Sequence, residues 1–414
     1  MKLLVFAHTP PPHHGQSYMV KLMLDGFGGD CRERQQTPPE ISGIECYHVN
    51  ARFSKALEDV GEFQGTKLFL IVFYCLQAVW CRFRYGVENF YYVPAPGKRV
   101  ALYRDWLVMF ICRPFFKRVI LHWHAAGLAK WLETSVQIRT RAVTYRLFKP
   151  VDLSIVLSKF NFADAEKLLS RRVCLVNNGI ADPCPDFEES LLPRRTARFE
   201  ALRKLLAGAT LQPLEISNAG GDPHVLKVLY LAHGMREKGL FDALEGVVLA
   251  NRRLNSLHLP LRLQLTVAGE FVNPSDKEEF DRRVSEIEVE SAGQTRVNYL
   301  GFVSGAAKAQ AFAESDCFCF PTYYHAESFG LVVVEAMAFG LPVVTTRWRS
   351  IPEILPPGYS GLVDVREPEQ IASALIRVLS EWSGELMRRN FIACFTLQSH
   401  LAALAAAIRS VENI

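Results

Sequence analysis

The sequence contains no Cys-x-x-Cys pair, no Asp-x-Asp, no Gly-x-Gly-x-x-Gly and no low-complexity tract. Its 10 cysteines are scattered without regular spacing, which points to free thiols in a reducing compartment, so the cytosol is the expected location. Without Asp-x-Asp, a diphosphate site bridged by a metal ion has no support in the sequence. The pairs His122-x-His124 and His13-His14 lack third and fourth ligands at metal-site spacing. With no glycine fingerprint in either first βα turn, a nicotinamide-dependent dehydrogenase is disfavoured. After Lys2 the apolar run Leu3 to Ala7 is too short for a signal-peptide core, and no stretch is expected to span a bilayer. The longest candidate, Leu68 to Cys81, has about 14 residues with Gln77 among them and fits a buried helix.

What is present is an ordinary globular composition, 49% hydrophobic and 22% charged over 414 residues, enough for two or three domains with full cores. The formal net charge of +4 conceals an asymmetry. Residues 1–180 carry 24 Lys+Arg against 14 Asp+Glu, whereas residues 181–414 carry 23 against 29. A basic half is compatible with nucleic acid, an anionic membrane, a phosphorylated substrate or a plain solvated surface. The charges are spread out and no nucleic-acid motif accompanies them, so a nucleic-acid partner is not expected.

Strand-like and helix-like segments alternate. Lys2–Ala7, Ile44–Val49, Phe90–Val93, Arg118–Trp123, Leu153–Leu157 and Val173–Val176 read as strands, with helical patterns at 17–25, 66–82, 101–112, 136–148 and 159–169. This predicts a Rossmann-like parallel sheet over 1–182. Prolines 183, 185, 193, 213 and 223 and Gly220-Gly221 then interrupt the pattern, so 183–224 reads as a linker or surface insertion around one charged helix, Arg195 to Leu206. A second alternation begins at Val225 and continues through Leu261–Val267, Val297–Leu300, Cys317–Phe320 and Pro342–Thr346, giving a second domain over 225–390. Two such α/β domains in tandem would enclose a ligand cleft. The last stretch, 391–414, reads as a helix packing back on the first domain.

The chemistry concentrates in the run from His325 to Pro342. Glu327 and Glu335 stand eight positions apart there. The apolar segment Cys317–Phe320, closed by Pro321, reads as a strand, and Leu331–Phe339 reads as a helix stopped by Gly340. Glu327 then lies in a loop at the carboxyl end of a strand, where open α/β sheets bind ligands. The N–H groups of Ser328, Phe329, Gly330 and Leu331 open the helix and suit a phosphate. Glu335 is the only charge in an apolar helix and is costly to bury unless donors satisfy it. Vicinal sugar hydroxyls could supply them.

The carboxylate pair and the Ala336/Gly340/Pro342 pattern resemble the retaining glycosyltransferases of GT-B fold, family 4. Further landmarks in the same order are Gly15, Leu121-His122-Trp123-His124, Val176-Asn177-Asn178-Gly179-Ile180, Glu237-Lys238-Gly239, Gly269, Gly301-Phe302, Ile351-Pro352-Glu353-Ile354 and Gly361-Leu362-Val363. The resemblance implies a nucleotide diphospho-sugar donor whose ribose hydroxyls bond to Glu335. Glu327 would lie beside the donor sugar, Lys238 against the diphosphate with the N–H groups of 328–331, and Gly15 and His124 would approach the donor from the first domain. It further implies retention at the anomeric carbon, no metal and no other cofactor. The acceptor would be a glycan or lipid-linked hydroxyl in surface polysaccharide or glycoconjugate biosynthesis, with the basic first domain able to meet the inner face of an anionic membrane. Where many members have an Arg five residues before the lysine, this chain has His233, so Arg236 is the candidate to share the diphosphate. The loop His13-His14-Gly15-Gln16-Ser17 lacks the usual paired glycines, and His124 is followed by Ala125-Ala126-Gly127. The rival from another class is a non-catalytic GT-B subunit that stabilises or partners another transferase.

Overall fold

The structure is a computed structural model that describes residues 1–11, 15–33, 38–52, 65–382 and 385–413, with the side chains of 65–67 left aside. Its contacts divide into two units, Met1–Gly179 with Ala326–Phe329 and Thr396–Ile414, and Ile180–His325 with Gly330–Phe395.

The first unit is built on six strands, β1 Lys2–Ala7, β2 Glu45–Asn50, β3 Asn89–Tyr92, β4 Arg118–Trp123, β5 Val151–Val156 and β6 Ser170–Leu175. They pair in parallel in the order β2-β1-β3-β4-β5-β6. The run Leu3-Leu4-Val5-Phe6-Ala7 is apolar at every position because both faces of the strand are covered. Alternate side chains serve alternate faces. Leu4 and Phe6 pack with Ile71, Cys75, Leu102 and Met109 from helices Gly65–Tyr85 and Arg99–Cys112. Leu3, Val5 and Ala7 pack with Met23 of helix Gly15–Gly26 and with Leu401, Leu404 and Ile408 of helix Leu397–Arg409.

The second unit repeats the plan with β7 Val225–Leu231, β8 Arg262–Ala268, β9 Arg296–Gly301, β10 Cys317–Phe320, β11 Val343–Thr346 and β12 Leu362–Val363. All pair in parallel, in the order β12-β11-β10-β7-β8-β9. The strand order reverses between β7 and β10, so the loops leaving these two neighbours diverge to opposite sides of the sheet and leave a crevice at their carboxyl ends.

Three expectations need correction. The segment 183–224 is neither linker nor insertion. It forms helices Leu192–Leu206 and Pro213–Ala219 after a π-helical turn at Phe187–Leu191, and Phe187, Phe199, Leu202 and Leu205 are core residues of the second unit. The stretch 391–414 is not one helix: Leu386–Cys394 belongs to the second unit, and a fresh helix, capped by the Thr396 hydroxyl accepting from the Ser399 N–H, runs over Leu397–Arg409 in the first. Finally, Leu68–Cys81 is not buried throughout. It lies in a helix of 21 residues, and Leu68–Tyr85 is long and apolar enough, by length and composition, to cross a membrane. Ile71, Cys75, Ala78 and Cys81 face the core, whereas Phe69, Phe73, Leu76, Trp80 and Phe83 face outward.

Candidate functional site

In the second unit Lys238 follows β7 and the helix carrying Glu335 follows β10, so both lie beyond the carboxyl ends of two neighbouring strands. After β7 the chain makes a tight turn at Arg236–Lys238 and enters helix Leu240–Ser256 through Gly239. The turn is pinned to the segment leaving β10, because the Glu237 carbonyl accepts the Tyr323 N–H at 2.8 Å. Gly239 makes this approach possible. Its φ is +80°, and a Cβ there would stand 2.2 Å from the Pro321 carbonyl oxygen. Gly239→Ala is therefore expected to push the turn off β10, lowering stability by about 1–3 kcal/mol and displacing Lys238. Thermal unfolding and kinetics of the purified variant read both effects, and a variant that melts and turns over as the parent does would show that the turn is not held this way.

The Lys238 ammonium lies 4.6 Å from the Tyr324 ring centroid and 5.6 Å from that of Phe320, so two aromatic faces hold the cation at the end of the strand. His233, standing where the diphosphate arginine was looked for, is kept neutral: burial, and then the nearby Lys238, lower its imidazole. Arg236 points elsewhere. It is exposed, pairs with Glu279 of helix Pro274–Glu290, and stacks 4.6 Å from the Phe241 ring.

Glu335 sits in helix Leu331–Ala338. The helix stops at Gly340, whose φ is +65°, with the Gly340 N–H donating to Met337 and the Leu341 N–H reaching back to Ala336. Its carboxylate is 18% exposed. One oxygen accepts a hydrogen bond from Lys308 at 2.6 Å, and the other, Oε2, has no partner among the described residues. Burial pushes the Glu335 carboxyl above its ordinary range, and Lys308 draws it only part of the way back. Sequence reasoning did not find Lys308. A single lysine in helix Gly305–Glu314 reads as a solvated side chain, and its pairing with a residue 27 positions on carries no local signal.

The run Ser328 to Leu331 straddles the boundary between the two units. Gly330 and Leu331 belong to the second unit, where Gly330 precedes the first helical residue and Leu331 and Val332 offer first-turn N–H groups without intrahelical acceptors. Glu327, Ser328 and Phe329 are buried and group with the first unit, in which the Ser328 hydroxyl donates to the His124 carbonyl at 2.6 Å.

In that first unit His124 directly follows β4 and is buried. Its ring centroid lies 4.1 Å from that of His122. His122 Nδ1 lies 2.5 Å from the Tyr91 hydroxyl, and complete burial keeps its imidazole well below the usual range. The loop after His124 is set by Asp164, which no sequence motif marks: its carboxylate accepts the N–H groups of Gly127 at 2.9 Å and Ala129 at 2.7 Å. Gly15, expected in a loop, is the exposed first residue of helix Gly15–Gly26, while His13-His14 lies outside the described residues.

Comparison with known proteins adds a family similarity and a fold. Residues 218–393 match the family model of glycosyl transferases group 1. A phosphatidyl-myo-inositol mannosyltransferase of Mycolicibacterium smegmatis is 34% identical over 124 residues, 30% of this chain and 30% of that protein. The chain thus spans under a third of the length of the curated relative it matches. Fold similarity extends further. Anabaena Alr3699/HepE in complex with UDP superposes with a TM-score of 0.61 at 15% identity, covering 99% of this chain and 100% of that one. Sucrose-phosphate synthase from Thermosynechococcus elongatus gives 0.63 at 16%, with 100% of both chains covered. Residues 218–393 are thus similar to glycosyl transferases group 1, and the chain's two parallel six-stranded sheets are those of the GT-B fold.

Proposed function

We propose that the protein is a retaining, metal-independent glycosyltransferase that moves a sugar from a nucleotide diphospho-sugar to a hydroxyl of a glycan or lipid-linked acceptor. The observation that carries this reading is Glu335, a carboxylate held in an apolar helix with one oxygen on Lys308 and the other unpartnered among the described residues. A buried acceptor left open in this way is costly, and a ribose diol offers the missing donors. Lys238 and the first-turn N–H groups of Leu331 and Val332 then meet the diphosphate from the two sides of the β7/β10 crevice. The mannosyltransferase relative supports the reaction class. In the same-face substitution favoured here, the bond from the anomeric carbon to the diphosphate oxygen breaks. The acceptor oxygen bonds to that carbon from the same side, and the departing phosphate oxygen takes the acceptor's proton. The protein positions the partners and stabilises the charge gathering on the leaving group.

Glu335→Gln tests the reading. In the folded protein the Glu335 carboxyl is raised above its ordinary value of 4.5, so the folded state binds the proton more tightly than the unfolded state and ionised Glu335 costs stability at neutral pH. Without ligand, Glu335→Gln should therefore melt at the same temperature or higher at neutral pH, with the difference closing as pH falls below the ordinary carboxylate range. Binding should move the other way. Losing a charged acceptor costs about 1.5–3 kcal/mol, roughly 10- to 150-fold in affinity. Thermal shift with a panel of UDP-, GDP- and ADP-sugars reads both. One nucleotide class should stabilise the parent and fail to stabilise the variant. No shift with any donor would favour a non-catalytic subunit.

A further inference from the structure

In the first unit, helix Gly65–Tyr85 has two apolar faces but only one of them is packed. Ile71, Cys75, Ala78 and Cys81 are buried against the sheet and helix Arg99–Cys112. On the other side Phe69, Phe73, Leu76, Trp80 and Phe83 are exposed by 74%, 53%, 60%, 52% and 70%. Their spacing of four, three, four and three residues places them on one line along the helix. The Phe83 ring continues the surface onto Phe115, at 5.8 Å between centroids. Soluble proteins rarely leave a contiguous apolar face of this length in water, and such a face marks an interaction surface.

We infer that this face is a membrane-docking surface, and that its occupant is the headgroup and upper acyl region of an anionic bilayer, with the helix lying in the plane of the interface. Charge selects the occupant. Between residues 65 and 118 the chain has nine Lys+Arg against two Asp+Glu, and one of those acids, Asp105, is buried and paired with Arg104. No charged residue interrupts the helix from Leu68 to Cys81, whereas Lys67 precedes this stretch and Arg82 and Arg84 follow it. Aromatic side chains on one face with cations at the ends is the pattern of a helix that sinks its apolar side among lipids and keeps its cations with the phosphates. The packed face excludes a spanning helix, since crossing the bilayer would strip Ile71, Cys75, Ala78 and Cys81 from the core. A second copy of the chain is a poorer occupant: a two-fold contact through this face would bring one net basic fringe against another, and the acid there, Glu88, is already paired with Arg82 and Lys117.

The surface stands apart from the donor-site reading, since a chain that transferred no sugar would still carry it. Purified full-length protein should co-sediment with vesicles containing phosphatidylglycerol and far less with pure phosphatidylcholine, and added salt should release part of the bound fraction. The variant Phe73→Glu/Trp80→Glu/Phe83→Glu changes exposed positions only and should lose at least about tenfold in binding. Val289→Glu, at an exposed apolar position of the second unit, should bind as the parent does. A gentler change keeps the test independent of folding: brominated lipid should quench tryptophan fluorescence in the parent and quench it less in Trp80→Phe. No binding at low salt, or binding equal in parent and triple variant, would overturn the inference. So would concentration-dependent dimerisation abolished by the triple variant, which would assign the face to a second copy.

Discussion

Replacing Arg198 by Ala should lower the stability of the second unit by about 3–5 kcal/mol, the usual cost of leaving one member of a buried ion pair behind. Arg198 lies in helix Leu192–Leu206, and its guanidinium meets Asp316 with two bonds, Nε to Oδ1 at 2.5 Å and Nη2 to Oδ2 at 2.8 Å. The same fork reaches the Val225 carbonyl at 2.5 Å, and Asp316 also accepts the Lys227 N–H at 2.8 Å. Asp316 immediately precedes β10, and Val225 opens β7. The arginine therefore ties the amino-terminal ends of the two strands whose carboxyl ends hold Lys238 and the Glu335 helix. Without it, a carboxylate almost fully buried loses its countercharge. Arg198→Lys keeps the charge but loses the planar fork, and should fall between parent and Ala. Denaturant unfolding followed by tryptophan fluorescence measures this, since Trp382 stacks on Phe199 of the same helix at 4.2 Å. A loss below about 1 kcal/mol, the level of an exposed pair, would show that Asp316 finds water or another donor instead.

The same helix shows where sequence reading stops. The strands were legible because a parallel strand covered on both faces is apolar at every position, and β4 and β10 fall where the pattern puts them. The segment 183–224 was misread because its prolines look like breakers. In the structure Pro193 and Pro213 stand in the first turns of two helices, where a missing N–H costs nothing. The arginines of Leu192–Leu206 suggested a solvated helix, yet Arg195 and Arg198 are buried on partners more than a hundred residues away, which no local pattern reveals. Helix Gly65–Tyr85 failed in the opposite sense. An apolar helix was expected inside, but composition cannot say which apolar face meets the core when both faces are apolar.

Lys238 and Glu335 were singled out because loops and helix starts at the carboxyl ends of strands are where an open sheet binds ligands, and the structure places both beyond such strands. Lys308 could not be, since it is recognised only by the carboxylate it pairs with. The pairing of Arg236 was hidden for the mirror reason: Glu279, its partner, lies 43 residues on in another helix, and adjacency to Lys238 in sequence said nothing of where the guanidinium points. The C-terminal stretch divides at Thr396 because that residue caps a new helix rather than continuing the old one.

The second large effect is expected at Lys238. If its ammonium meets the diphosphate while the glycosidic bond breaks, the charge it stabilises grows toward the transition state, so Lys238→Ala should reduce kcat more than it raises KM. Removing one preorganised donor of this kind costs about 10²–10³ in kcat, or roughly 2.7–4 kcal/mol. Stability should change far less. Among the native contacts at stake are the approaches to the Tyr324 and Phe320 rings, each worth about 0.5–1 kcal/mol at a partly exposed site. That contrast separates a role in the reaction from a structural one. Lys238→Arg retains the charge, but a longer planar group must fit between the same rings, so only partial recovery is expected. The sharper control is Tyr324→Leu, which leaves the lysine in place and removes the ring 4.6 Å from its ammonium. Its kcat should drop by less than that of Lys238→Ala. Steady-state kinetics on the donor that stabilises the parent protein would decide it, and a Lys238→Ala enzyme within tenfold of the parent in kcat would remove this lysine from the reaction.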